Sequence, residues 1–379
     1  MPKGKLTKLF PGGNTSRGFF SFYDQIIGPN ATRIFILKGG PGVGKSTIMR
    51  KIGETVLELG YDVEFLCCSS DNDSLDGICI PAPGVAMIDG TAPHIVDPKN
   101  PGAVDEIINL GEFWDEDKMV AIKQTVLQSN TRVGRLFKIA YHQLAEAKVI
   151  KDELDSYLEE AANHARVNET AGKIIKKVLD DAPVQYEKEP KSRRLFATAF
   201  TPQGQWHHLD TILQDVKKLY LVTGEATGLT SRIVGAAARA AYECGLDTRV
   251  FHCPLEPGNV DLVVIPQQGC AVMKDIPGIE FKPQEVNSIK KVKIYNINQY
   301  LDEKVLAIYE GEINSARNRL ADAINRAISY ISQAKAEHDL LESYYIPAMN
   351  FEAINAKRDE ILTRVMKYVK ARPLSSPGG

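Results

Sequence analysis

Nine consecutive residues carry the most specific chemistry in the chain: Gly39, Gly40, Pro41, Gly42, Val43, Gly44, Lys45, Ser46 and Thr47. Their spacing is GxxxxGK[ST]. Glycines at these positions let backbone N–H groups curl around a phosphate without side-chain clash. The lysine reaches β- and γ-phosphate oxygens, and the hydroxyl after it ligates Mg²⁺. An apolar run at 33–37 leads into the loop and a helix-forming stretch at 46–59 leads out. The positive end of that helix then points at the same anion. All nine residues are expected nucleotide contacts, with Lys45 catalytic and Ser46 a metal ligand.

Magnesium needs a second anchor, an acid at the end of a neighbouring buried strand. Val85, Ala86, Met87 and Ile88 followed by Asp89 have that form, so Asp89 is the expected second metal ligand and a catalytic residue. Thr91 and His94 lie just past the strand end, where ligands gather in open α/β sheets. His94 is a candidate to contact the γ-phosphate or to orient water. The acidic loop at 69–77 follows the preceding strand, and Asp71 and Asp73 are candidate general bases toward an acceptor. It is not a calcium loop, because Leu75 takes a ligand position and Asp76 stands where glycine must turn.

The elements that hold these residues recur. Shifted by 185 positions, Gly60, Asp62, Cys68, Asp76, Ile80, Pro81, Gly84 and Ala86 fall on Gly245, Asp247, Cys253, Asp261, Ile265, Pro266, Gly269 and Ala271. The match extends upstream at an offset of 186 and downstream at 187, where Arg132, Lys148, Asp152 and Asn163 meet Arg319, Lys335, Asp339 and Asn350. A period this long implies two whole domains rather than a solenoid. The expected division is 1–185 and 186–379, with the polar segment 186–194, broken by Pro190, as linker. Each half reads as strands alternating with helices, hence a parallel sheet with flanking helices. A segment rich in Ala, Leu, Lys and Glu follows at 116–180 and 303–370. Val133, Phe137, Ala140, Leu144 and Ala147 form an apolar stripe there. A helical hairpin packed on its own half is the expectation; a lid that moves with nucleotide state is the sharper reading.

With these motifs in place the chain resembles the P-loop NTPase superfamily. More narrowly, it is similar to poorly characterised bacterial proteins with two tandem P-loop-like halves, labelled ATPases. The resemblance implies ATP and Mg²⁺ as ligands of the first half. In the second half Gly224 and Ser231 match Gly39 and Ser46, but Leu229 replaces Gly44, Thr230 replaces Lys45, Lys274 replaces Asp89, and Glu225 adds a negative charge. The second copy is therefore expected to be non-catalytic, structural or regulatory. Arg132, Arg135, Arg317 and Arg319 are candidate sources of a transition-state cation. The aromatic cluster Phe19, Phe20, Phe22 and Tyr23 fits core packing better than base stacking.

Composition narrows the setting. The chain has 379 residues, 44% hydrophobic and 25% charged, with 46 Lys and Arg against 48 Asp and Glu. Those values suit a globular protein and give no whole-chain basic footprint for nucleic acid. No apolar run is long enough to span a bilayer, and six cysteines in no zinc spacing suit a reduced, cytoplasmic protein. Sequence alone thus points to Mg²⁺-dependent ATP hydrolysis by the first half. A P-loop phosphotransferase is the first alternative. A nucleotide-gated scaffold whose helical segments bind a protein is the second.

Overall fold

A short connection decides the sheet type. Only residues 81–84 separate the strand Leu75–Ile80 from Val85–Asp89, too few for the crossover that parallel neighbours need. These strands therefore form a hairpin, and Gly84 turns it at φ 69°, a left-handed conformation that favours glycine. The expected purely parallel sheet is in fact mixed.

The computed structural model describes residues 2–93, 95–180 and 189–371. The first half contributes β1 (Leu6–Leu9), β2 (Gly12–Thr15), β3 (Gly18–Ser21), β4 (Arg33–Lys38), α1 (Lys45–Glu58), β5 (Val63–Cys67), β6 (Leu75–Ile80), β7 (Val85–Asp89) and β8 (Asp105–Asn109). Three helices follow: α2 (Glu116–Ala121), α3 (Lys123–Glu160) and α4 (His164–Leu179). The second half repeats the succession with β9 (Ser192–Leu195), β10 (Thr198–Thr201), β11 (Gly204–His207), a short α5 (Leu209–Ile212), β12 (Lys218–Thr223) and α6 (Thr227–Glu243). It continues with β13 (Thr248–His252), β14 (Val260–Ile265), β15 (Cys270–Lys274), β16 (Lys291–Asn296), α7 (Glu303–Ile308), α8 (Glu310–Tyr345) and α9 (Phe351–Ala371). The duplication read from the sequence is thus a duplication of elements. Residues 192–194 of the expected linker belong to β9, and its first three residues, with the 185/186 junction, lie outside the described residues.

The chain forms two compact units whose membership cuts across the two halves. Unit 1 takes Met1–Pro11, Phe22–Lys138 and Tyr330–Gly379; unit 2 takes Gly12–Ser21 and Ile139–Ser329. In unit 1 the strand order is β1-β5-β6-β7-β4-β8, with β6 antiparallel to β5 and β7. The central strand β4 runs parallel to β7 and β8 and buries Phe35, Ile36 and Leu37 completely. Helix α9 packs in this unit. Its Ile354, Ile361, Val365 and Val369 are buried, one face of a 3.6-residue repeat. Arg364 stands 5.2 Å from the Phe35 ring centroid and pairs with Glu106 on β8. Tyr61 Oη donates to the Val369 carbonyl at 3.1 Å.

In unit 2 the order β16-β12-β15-β14-β13-β9 repeats the same plan, with β14 antiparallel to both neighbours. Helix α4 packs against α6 here, burying Val167, Thr170, Ile174 and Val178. The expectation that each helical hairpin covers its own half therefore fails. The first half's α4 lies in unit 2 and the second half's α9 in unit 1. The hairpin β2–β3 also belongs to unit 2, where Asn14 Nδ2 donates to the Phe200 carbonyl at 3.0 Å and Phe20 meets Phe196 edge-on.

Candidate functional site

Strand β4 ends at Lys38 and α1 begins at Lys45, so the six residues between form the candidate phosphate loop. Gly42 and Gly44 adopt φ of 70° and 83°, which a Cβ would oppose. The Lys45 ammonium folds back over the loop, donating to the carbonyls of Gly39 at 2.7 Å and Gly40 at 3.0 Å. It stands 3.6 Å from Asp89 Oδ2. Asp89 reaches that place because β7 pairs with β4 in parallel, setting Asp89 beside Leu37 at the same sheet edge. Asp89 Oδ1 accepts the Thr91 N–H at 2.8 Å, and the Thr91 hydroxyl donates to Gly39 O at 3.0 Å. Lys45, Asp89 and the loop are thus brought together, as the spacing predicts. His94 lies outside the described residues.

Ser46 Oγ accepts the Leu75 N–H at 3.0 Å, which ties the loop to the acidic segment before β6. Within that segment Asp71 accepts the Ser74 hydroxyl at 2.8 Å and the Asp73 N–H at 3.1 Å. Asp76 is buried and accepts the Tyr23 hydroxyl at 2.9 Å. Burial, then the carboxylate charge of Asp76, pushes the Tyr23 phenol well above its ordinary range. Of the aromatic cluster, Phe22 is buried in unit 1 and Phe19, Phe20 and Tyr23 are half-buried, Phe19 and Phe20 in the hairpin of unit 2.

The last turns of α8 complete the surroundings of the loop. A Cβ on Gly40 would lie 2.8 Å from the Tyr345 ring and 3.3 Å from Trp114. A Cβ on Gly42 would lie 3.3 Å from the Glu342 carbonyl and from Ile346. Further up the helix, Lys335 Nζ stands 3.3 Å from Asp71 Oδ2 and also pairs with Asp339. Burial pulls the Lys335 ammonium down, but the Asp339 and Asp71 carboxylates hold it above its ordinary value.

Unit 2 presents the counterpart without the cradle. Helix α6 starts at Thr227, three residues earlier in register than α1. The N–H groups of Leu229 and Thr230 are spent on the Ala226 carbonyl at 3.0 and 3.1 Å, so they are not aimed at an anion. The place of Asp89 is taken by Lys274, whose Nζ stands 3.0 Å from Asp261 Oδ1 with side chains 3% and 1% exposed. Burial pulls this ammonium down, but the neighbouring carboxylate more than offsets it and the net shift is upward. A resident cation thus faces Asp261 where unit 1 has the two carboxylates Asp76 and Asp89. Asp155 Oδ1 accepts the Thr227 hydroxyl at 3.3 Å, and a Cβ on Gly228 would meet Glu159 at 2.9 Å.

Comparison with models of known protein families, with curated proteins and with solved structures finds no match.

Three of the four candidate arginines are paired with carboxylates. Arg132 pairs with Glu337 in unit 1; Arg317 pairs with Glu225 and Arg319 with Glu153 in unit 2. The residues that sequence reasoning missed lie on one face of α8: Glu342 and Tyr345 at the loop, Lys335 at Asp71, and His338 between them. Their spacing of three, four and three was legible as one helix face. Which surface that face meets was not. All six cysteines are free thiols, and burial pushes Cys67 up to about 12. Among the described residues no helix is long and apolar enough to cross a membrane.

Proposed function

We propose that unit 1 binds a nucleoside triphosphate with Mg²⁺ and hydrolyses it, ATP being the expected substrate, and that unit 2 is non-catalytic. One observation carries this reading. The Lys45 amine, the loop carbonyls and the Asp89 carboxylate meet within 3.6 Å at the end of the central parallel strands. A lysine held this way exchanges its carbonyl partners for phosphate oxygens when the loop N–H groups receive the anion. Two hard oxygen donors, Ser46 Oγ and the Asp89 carboxylate, suit Mg²⁺. When bound there, the ion would neutralise charge developing on the transferred phosphoryl group. Thr91 fixes Asp89 and the first loop carbonyl in one frame. In unit 2 the α6 N–H groups are consumed and Lys274 stands where a metal ligand would be needed, so the same chemistry has no support there.

The phosphotransferase reading gains nothing from Asp71, whose carboxylate is already held by Lys335, Ser74 and Asp73. The test is phosphate release from ATP and GTP with Mg²⁺, alongside nucleotide binding. Wild type should turn over. Lys45→Ala and Asp89→Asn should each lose about 10²-fold or more in kcat, as expected when a phosphate-charge stabiliser is removed. Binding without phosphate release by wild type would refute hydrolysis, and absence of binding would refute the whole reading.

A further inference from the structure

The two loops are attended by two equivalent helices. At the 187-residue offset Lys335, His338, Asp339 and Glu342 of α8 correspond to Lys148, Lys151, Asp152 and Asp155 of α3. The anchoring pair is the same in both units. Lys335 meets Asp71 at 3.3 Å, and Lys148 meets Glu256, the counterpart of Asp71, at 3.6 Å. A residue pair kept beside an intact loop and a degenerate one holds a helix in place. It does not account for what the intact loop does.

One helical turn further the chemistry diverges. In unit 2 Lys151 is buried, 2.6 Å from Asp155 Oδ2 and 3.5 Å from Glu256 Oε2, a closed set of fixed charges. In unit 1 the same place holds His338, whose Nδ1 lies 3.8 Å from Glu342 Oε1 with the imidazole 38% exposed. Glu342 in turn has its backbone against Gly42. The unit that keeps Lys45 and Asp89 thus carries an imidazole in place of a fixed cation, on α8 between Lys335, which meets Asp71, and Glu342, whose backbone lies against Gly42. Imidazole is the side chain suited to taking up and releasing protons. Nδ1 is the ring nitrogen on the Glu342 side, and Nε2 is the one turned away from it.

We propose that His338, oriented by Glu342, accepts the proton of the oxygen that attacks the terminal phosphorus. The proposal rests on the hydrolase reading of unit 1. In the step, a water oxygen forms a bond to the γ-phosphorus while the bond to the β–γ bridging oxygen breaks. The bridging electron pair leaves with the nucleoside diphosphate. The water proton passes to His338 Nε2 and is later returned to solvent. Lys335, bound to Asp71, sets the height of α8 over the loop, and Tyr345 against Gly40 sets its end. The ligand atoms of His338, Asp339 and Glu342 lie within 4.8 Å of one another, so a divalent ion held by this face is the competing role.

The experiment compares the full-length protein with His338→Ala and His338→Lys, the latter carrying the residue found at this place in unit 2. For His338→Ala, kcat should fall about 10²-fold or more while KM for ATP and the affinity for ADP stay within about threefold, the signature of a lost general base. Added imidazole should restore at least about a tenth of the lost rate in His338→Ala and nothing in His338→Lys. Three results overturn the proposal: unchanged turnover in His338→Ala, loss of kcat matched by loss of ADP binding, and loss that imidazole does not rescue. If wild type binds Mg²⁺·ATP but releases no phosphate, the hydrolase reading itself fails and takes the proposal with it.

Discussion

Lys45 and Lys274 show how one side-chain type serves opposite ends in two copies of a motif. Lys45 stands over a loop with its amine on exchangeable carbonyls, 12% exposed and within 3.6 Å of Asp89. Lys274 is sealed against Asp261. A buried pair is costly to break because the surviving charge stays in a low-dielectric interior. Lys274→Met should therefore destabilise the protein by about 3–5 kcal/mol, read as a lower urea midpoint. The double variant Lys274→Met, Asp261→Leu should recover most of that loss, since apolar replacement of both partners is often neutral or stabilising. The strand–loop–helix around Gly39–Thr47 was legible in the sequence because its glycines and flanking apolar runs are local, and Asp89 because it ends a short apolar run. His338 and Glu342 were not, because nothing local to α8 specifies the loop some 300 positions earlier that it meets.

At the level of elements, strand direction is encoded in the turns rather than in the strands themselves. The runs at 78–80 and 85–88 read as strands either way; only the short link with Gly84 forces them antiparallel. The second glycine loop was read as a degenerate cradle, whereas α6 has absorbed half of it into helix. Without the demand for free N–H groups, residues 227–230 take the helical hydrogen bonds available to them. Strand β13 carries a further consequence. His252 at its end is 9% exposed, and burial lowers its pKa to about 4 from 6.5. Between those values the unfolded chain binds the proton and the folded protein does not, so stability rises with pH across that window and is lost as pH falls through it. The full effect approaches about 3 kcal/mol. Urea unfolding at pH 7 and pH 4.5 should show a wild-type loss that His252→Gln reduces by about 2 kcal/mol. An equal loss in the variant would place the acid sensitivity elsewhere.

For the whole molecule, the two halves of the sequence are complete sets of elements but not complete folding units. The core of unit 1 needs α9, which buries Ile361 and Val365 and brings Arg364 to Glu106. Unit 2 needs α4 and the β2–β3 hairpin. Cutting the gene at the repeat boundary leaves each sheet short of a helix and of apolar burial worth about 1.5–3 kcal/mol per large side chain. Residues 1–185 produced alone should therefore be aggregated or protease-sensitive, and co-production with 186–379 should restore a soluble pair. Independent, resistant halves would contradict the exchanged membership.

The same exchange sets an order of events during synthesis. Domains ordinarily finish in the order in which they leave the ribosome. Here the sheet that carries the glycine loop at 39–44 is translated first, yet the last residues of its unit begin at Tyr330. At about 5–20 residues per second, the stretch from Lys138 to Tyr330 takes about 10–40 s to appear. By the end of that interval unit 2 has all its residues, whereas the loop at 39–44 still lacks the last turns of α8 and the whole of α9. The surroundings of the glycine loop are thus the last part of unit 1 to be completed, and a chain truncated before Tyr330 carries the motif without them.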